Sequence, residues 1–356
     1  CTNFKSCTKP RKLCSEKCLQ YKEQSCSLRD RSIGACNHCE RIQRCRLDHF
    51  FYNASRAHEE YLFHLSDSRQ GVNLSEPHRI LIAQTIKPLL AKGQSLYHIL
   101  ENHPELDISV KSLYTYIEGG IFKDFGIDNF SLRRQVSMRQ RKKIKVRKEP
   151  VNYDGHKYSD YLLFCKENPC VPTTEMDTLY NQPDGPYIQT FSFQNTSLMI
   201  GILHHEKTSE SMASSLDLLE DILADDFFKL FSLILTDRGS EFEKVSLFET
   251  NPLTGKTRSN IFYCDPQTPS QKPHVENNHN LVRNILPNGR KLSSLTQHDL
   301  NIMFSHINSV PRKILGGKTP YEVFSFLYSE DILHKLGIVR IQPDAVTLKP
   351  FLLEIE

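Results

Sequence analysis

No stretch of this chain approaches the ~20 consecutive apolar residues that a membrane-spanning helix needs. The most apolar one, around Leu230–Leu235, is short and bounded by Asp226 and Asp237. Glycine and proline are sparse, at 15 and 18 among 356 residues, which excludes collagen-like and low-complexity chains. The composition does not fit a coiled coil, and 38% apolar with 24% charged residues excludes a disordered chain. No signal peptide is visible. The chain opens at Cys1 without a Met, so a fragment or processed product is expected. The length leads to the expectation of two or three domains.

Net charge is also low, only +3, but it hides an asymmetry. Residues 1–150 hold 27 Lys and Arg against 16 Asp and Glu, a net +11, while the rest holds 18 against 26, a net −8. A basic half suits a polyanionic partner, and an acidic half could carry carboxylate chemistry. Eight of the eleven cysteines fall in the first 45 residues: Cys1, Cys7, Cys14, Cys18, Cys26, Cys36, Cys39 and Cys45. A disulfide framework, a thiolate metal site or free thiols could each use them. The Cys36-x-x-Cys39 and Cys14-x-x-x-Cys18 spacings favour zinc, because they let two thiolates reach one tetrahedral ion. Eight sulfurs make two such sites, with His38 and His49 as spare donors.

Beyond the cysteines, Tyr52–Ser68 reads as a polar, aromatic helix. A second helix has Ile80, Leu81, Ile82, Ile86, Leu89 and Leu90 as its apolar face and ends at Gly93. A short third carries Leu96, Ile99 and Leu100. A fourth starts at Ser109, turns Val110, Leu113 and Ile117 inward and stops at Gly119–Gly120. The last three suggest a helix-turn-helix, with Lys111, Ser112, Tyr114 and Thr115 outward. Between Arg133 and Lys148, nine of sixteen residues are basic and none is acidic. Arg133, Arg134, Arg139, Arg141, Lys142, Lys143, Lys145, Arg147 and Lys148 thus read as a phosphate-tracking arm, since each neutralised phosphate releases a counterion.

From Pro150 the pattern changes. Strands are expected at Thr174–Leu179, Tyr187–Phe193 and Leu198–Leu203, then an amphipathic helix with Met212, Leu216, Leu219, Leu223 and Phe227 on one face. Further strands are expected at Phe231–Thr236 and Ile261–Cys264, with a helix opening near Val275. Three strands, helix, strand, helix is the order of a ribonuclease-H-like sheet. Asp177 is an acid amid strand formers, Asp237 ends the fourth strand, and Glu276 lies in the first turn of the last helix. In that fold the three places converge. Carboxylates so gathered repel unless hard cations neutralise them, and Mg2+ prefers oxygen ligands. Two ions can activate a water or 3′-hydroxyl and stabilise the leaving oxygen of a phosphoryl displacement.

The strings LTDRGSEF (235–242), FYCDPQTPSQKPHVENNH (262–279), VRNILPNG (282–289) and INSVPRKILGGKTPYEVF (307–324) closely resemble the insertion-sequence-thirty family of bacterial transposases. The resemblance extends over nearly all of residues 1–330, because members from Gram-positive bacteria carry the cysteines, the helix-turn-helix and the Glu-Met-Asp-Thr strand in the same order. It implies a DDE triad of Asp177, Asp237 and Glu276, with Asp177 and Asp237 holding two Mg2+ ions (Mn2+ can substitute) and Glu276 completing the second site. It implies end-DNA contacts at Lys272, Asn277, Asn280 and Arg283, and double-stranded partners in the terminal inverted repeats and the target DNA. A homo-oligomer on DNA, at least a dimer, is implied, as is a cytoplasmic, nucleoid-associated bacterial protein. Many members have Gly at Pro273, Asn-Gly at His279-Asn280 and Arg at Val310. Members usually carry a further helix-turn-helix before the cysteines, so this chain is expected to lack a main end-recognition module.

The expected architecture is therefore α/β. Residues 1–50 form a cysteine-rich zinc region, 51–132 an all-α helix-turn-helix domain and 133–150 a basic linker. Residues 151–330 form a ribonuclease-H-like DDE catalytic domain with a mixed sheet and flanking helices, and 331–356 a C-terminal tail. Two other readings compete with a transposase: a catalytically silent DNA-binding regulator or inhibitor, and a ribonuclease-H-type nuclease that hydrolyses without joining. The cysteine reading gives a first test. Metal analysis of reduced protein should find about two zinc ions per chain, on the rule of four thiolates per structural site. Four disulfides and no metal in freshly purified protein would reverse it.

Overall fold

The computed structural model describes residues 26–28, 35–67, 74–132, 153–266, 268–290 and 292–353. Cys1, Cys7, Cys14 and Cys18 lie outside the described residues, as does the whole basic run Arg133–Lys148. Contacts divide the chain into two compact units, Cys1–Asn73 and Leu74–Glu356. Helix α1 (Ala54–Asp67), expected with the helix-turn-helix, falls in the first unit. There the Asn37 side chain bonds the Tyr52 backbone in both directions, at 2.8 and 2.6 Å, and so ties the cysteine turn to the residues before α1.

The second unit opens with three helices near their expected places: α2 (Glu76–Ala91), α3 (Leu96–Asn102) and α4 (Val110–Glu118). The Ser95 and Ser109 hydroxyls cap α3 and α4 by accepting the amides of His98 and Ser112. Ile82, Ile86, Leu90, Ile99, Leu113 and Ile117 form a core of their own. Leu81 does not join it. That side chain is exposed, because the buried stripe runs through Ile82, Ala83 and Ile86.

Then come α5 (Tyr158–Glu167), β1 (Thr174–Leu179), β2 (Tyr187–Phe193), β3 (Met199–His204), α6 (Ser209–Leu223), α7 (Phe227–Phe231) and β4 (Leu233–Thr236). They are followed by α8 (Val245–Glu249), β5 (Asn260–Tyr263), α9 (Pro273–Ile285), α10 (Gln297–Asn308), α11 (Pro320–Leu327) and α12 (Glu330–Lys335). Among the described residues the strands form one five-stranded sheet in the order β3-β2-β1-β4-β5. The β1–β2 and β2–β3 pairs are antiparallel, whereas β1–β4 and β4–β5 are parallel. This is a mixed α/β sheet with flanking helices, of ribonuclease-H-like order. Phe231, expected in the fourth strand, instead ends α7, where Phe227, Leu230 and Phe231 are all buried.

One face of the sheet buries Met176, Phe191 and Ile234 together with Met212, Leu216 and Phe231. On the other, α5 covers Leu233, Leu235 and Phe262, and α10 lies along β3. The β3–α10 approach depends on Gly201. A Cβ there would lie 2.3 Å from Phe304 Cε2, far inside van der Waals contact.

Residues 331–353 of the segment expected as a C-terminal tail pack into the unit. Ile338, Val346, Leu348 and Leu353 are buried in the sheet's main core. The same segment ties down the α2–α3 corner: Leu348 N donates to Lys92 O at 2.8 Å, and the Gln94 amide donates to Pro343 O and Val346 O, both at 2.9 Å. Buried aliphatic side chains and paired backbone groups make this irregular segment part of the packed unit. Gly201→Ala is expected to cost about 1–3 kcal/mol by overpacking. Chemical denaturation of the single variant and of Gly201→Ala with Phe304→Leu checks this, and the second change should recover part of the loss.

Candidate active site

The last paired register between β1 and β4 is Glu175 with Leu235. Asp177 and Asp237 each lie two residues beyond it, Asp177 within the second half of β1, where β1 is still paired with β2, and Asp237 directly after β4. Past that point the strands separate, and the Thr236 hydroxyl closes the gap by donating to Met176 O at 3.1 Å. Both aspartates are locally anchored. Asp177 Oδ1 accepts its neighbour's amide, Thr178 N, at 2.8 Å, and Asp237 Oδ1 accepts Gly239 N at 3.1 Å.

The Lys272 ammonium enters between them. Its Nζ lies 3.3 Å from Asp177 Oδ2, 3.8 Å from Asp237 Oδ2 and 3.3 Å from Met176 O. Lys272 directly precedes α9, with Pro273 at the first helical position, a place that suits proline's fixed φ. Glu276 is one turn further on and exposed. Burial alone would lower the Lys272 pKa, but the Asp177 and Asp237 charges outweigh it and raise it, so the side chain stays a cation. Desolvation against the sheet end raises the Asp237 carboxyl above the ordinary range; Lys272 opposes this, while Asp177 and Glu241 add to it. Desolvation likewise raises Glu276, against Lys272 and with Asp177. Among the described residues, no three His, Cys, Asp or Glu side chains stand close enough as placed to hold a metal ion. The donor chemistry nonetheless fits a hard divalent cation, since two carboxylates and a carbonyl already surround one positive charge.

A buried residue absent from the sequence reading fixes α9. Glu175, fully buried on β1, accepts Val275 N at 2.7 Å and the Gln194 amide at 3.0 Å. Val275 is the third residue of α9, so Glu175 satisfies an otherwise unpaired donor and faces the positive end of the helix. Burial raises its carboxyl pKa in spite of these bonds. The signal was available: Glu175 stands two residues before Asp177, on the same strand face, in the same Glu-Met-Asp-Thr string. His279, beside the site, bonds the Thr190 hydroxyl at 2.9 Å, and Thr190 in turn donates to Asp177 O at 3.2 Å. The hydroxyl has a single proton, so His279 Nε2 must be the donor to it. Burial lowers the His279 pKa.

The expected DNA contacts divide. Asn277 and Asn280 are exposed on α9, the latter donating to Glu276 O at 3.2 Å. Lys272 faces inward and not towards solvent, because the aspartate pair needs its charge. Arg283 is half-buried, bonding the Asn181 side chain and, at 3.3 Å, Tyr180 O. On α4, Lys111 and Thr115 are exposed, but the Ser112 hydroxyl pairs with Ser109 Oγ at 2.8 Å in the helix cap. Cys26, Cys36, Cys39 and Cys45 are free thiols and, among the described residues, form no metal-holding cluster.

No family model matches this chain. Over 87 residues it is 37% identical to transposase InsI for insertion sequence element IS30A of Escherichia coli K12, a span of 24% of this chain and 21% of that protein. It is 34% identical over 73 residues to the transposase of element IS1086 from Cupriavidus metallidurans, covering 20% and 22% of the two chains. It is 28% identical over 102 residues to the transposase of element IS4351 from Bacteroides fragilis, covering 29% and 30%. The chain's curated relatives are IS30-family and other insertion-sequence transposases. It spans between 21% and 30% of the length of these relatives. The catalytic core domain of BIV integrase is similar at 20% identity with a TM-score of 0.30, over 46% of this chain and 97% of that one. The HTLV-2 integrase catalytic core, solved in complex with magnesium, is similar at 14% identity with a TM-score of 0.28, over 43% and 95%.

Glu175→Ala should leave Val275 N and the Gln194 amide without their partner and cost about 1–3 kcal/mol. Glu175→Gln keeps one carbonyl acceptor and should cost less. Urea denaturation of both variants measures the difference.

Proposed function

We propose that this chain is a DDE-type transposase that cuts DNA phosphodiesters at the ends of an insertion sequence and joins the freed 3′-hydroxyl to target DNA. The observation that carries this reading is the Lys272 cation shared by Asp177 on β1 and Asp237 just after the adjacent parallel β4, with Glu276 on the helix that follows. The partial identity with insertion-sequence transposases supports it. Asp177 and Asp237 would hold two Mg2+ ions, or Mn2+ in their place, and Glu276 would complete the second site. Bound there, the ions would supply Lewis-acid stabilisation of the attacking and leaving oxygens of an in-line displacement.

The rest of the work falls to the chain's own residues. Glu175 holds the N-terminus of α9 and would keep Glu276 near Asp177 and Asp237, and the Thr190–His279 bond braces the backbone of Asp177. Asn277 and Asn280, exposed on α9, would meet the sugar–phosphate backbone. The arm Arg133–Lys148 would track phosphates with little base discrimination. Lys111 and Thr115 on α4 would meet base edges as part of a helix-turn-helix. Double-stranded element ends and target DNA are the proposed partners, and a homo-oligomer on DNA the proposed assembly. Zinc at the cysteines, about two ions, belongs to the same reading. So does a cytoplasmic, nucleoid-associated location. Among the described residues no helix is long and apolar enough to cross a membrane.

Labelled element-end DNA with Mg2+ should yield nicked and joined products. Asp177→Asn, Asp237→Asn and Glu276→Gln should each lower cleavage by several orders of magnitude while leaving DNA binding intact, because each keeps the side chain's size and removes its charge; the two aspartate variants should also lose some stability, since each takes a charge from the buried Lys272. Retained cleavage in any one variant removes that residue from the mechanism. Nicks without joined products would indicate a hydrolytic nuclease, and binding without any cleavage by the wild type a silent regulator.

A further inference from the structure

Lys272 is a long, strongly hydrated cation with only 7% of its side chain exposed. Such a side chain is almost never buried unless it is paired. Its partners here are oxygens alone: one carboxylate oxygen each from Asp177 and Asp237, at 3.3 and 3.8 Å, and the Met176 carbonyl at 3.3 Å. Carboxylate and carbonyl oxygens gathered from two strands are the ligand class a hard divalent cation takes. The ammonium is therefore seated where such an ion would be bound.

We propose that Lys272 is an internal counter-cation that occupies the aspartate pair when no divalent ion is bound, and that it withdraws as one enters. The inference rests on the metal-ion reading of Asp177 and Asp237 given above. Three features support the exchange. Without a positive charge between them, the carboxylates of Asp177 and Asp237 repel, and their preformed spacing would be lost. Lys272 stands outside α9, immediately before Pro273, so its four-carbon stem can turn out without breaking a helical hydrogen bond. The Asp237 side chain is 50% exposed, which leaves an open path on that side. A divalent ion adds a second positive charge to the same oxygens, and the two cations repel at such a distance. Ion binding and the inward position of Lys272 therefore compete. The apparent metal affinity is reduced by the fraction of molecules in which the lysine has left.

Two measurements on the full chain test this without DNA or turnover. In the first, Mn2+ is titrated against the wild type and Lys272→Met, with free Mn2+ read by electron paramagnetic resonance. Lys272→Met should bind Mn2+ about tenfold more tightly or better, because no internal cation must be displaced. In the second, an amine-reactive ester labels the wild type with and without saturating Ca2+, and mass spectrometry follows the Lys272 peptide. Labelling should be slow without the ion and several-fold faster with it. Equal Mn2+ affinities in the two proteins overturn the proposal while leaving the metal reading intact. Unchanged Lys272 labelling under ion binding overturns it too, since the lysine would then be a neighbour and not an occupant. If neither folded protein binds Mn2+, both the exchange and the metal reading fail. Should Lys272→Met fail to fold, the labelling of the wild type decides alone.

Discussion

Everything at the acidic end of the sheet depends on one electrostatic constraint: two carboxylates at the ends of adjacent strands cannot stand together uncompensated. Asp177 and Asp237 satisfy it by sharing the Lys272 ammonium. That contact lies at the N-terminus of α9, because Lys272 is the residue before its first turn. The start of α9 in turn fixes Glu276, one turn on.

A second buried charge secures the same helix from below. Glu175 meets the amide of Val275 at the positive end of α9, so two residues of β1, spaced by two, act on one helix from one strand face. Glu175 orients α9 through its backbone, while Asp177 engages it through Lys272. Hydrogen bonding and charge thus act along the same axis, and α9 is held at its N-terminus more strongly than packing of Val275, Leu281 and Val282 alone would hold it. The Thr190–His279 bond adds a third tie from β2, on the far side of Asp177.

The sheet supplies the rigid frame. Its order places the antiparallel β2 and β3 on one side of β1 and the parallel β4 and β5 on the other, so β1 is central, and α9 lies against it. The close approach of Gly201 to Phe304 sets α10 against β3. The segment through Val346 and Leu348 then links this frame to the α2–α3 corner. The helices that carry Lys111 and Thr115 are therefore coupled by backbone hydrogen bonds to the core that carries the carboxylates.

Much of this was legible in the residues. The period-2 runs marked β1 and β2 with their observed bounds, and Met212, Leu216, Leu219 and Leu223 marked the buried stripe of α6. Acids placed amid or just after strand formers singled out Asp177 and Asp237, because a carboxylate in such a setting needs a special reason. Local pattern failed where partners are distant in sequence. Phe231 reads as strand but joins α7, since an all-apolar run has no period to tell helix from strand. Residues 331–353 read as a tail, and only the cores they fill show otherwise. Lys272 and Arg283 read as surface cations because a sequence carries charge without direction. By itself the sequence determined which side chains could do carboxylate and phosphate chemistry and the order of the elements that carry them. Which of those charges face one another was decided only by the tertiary structure, because the sign of a charge is local whereas its partner is brought in by the fold.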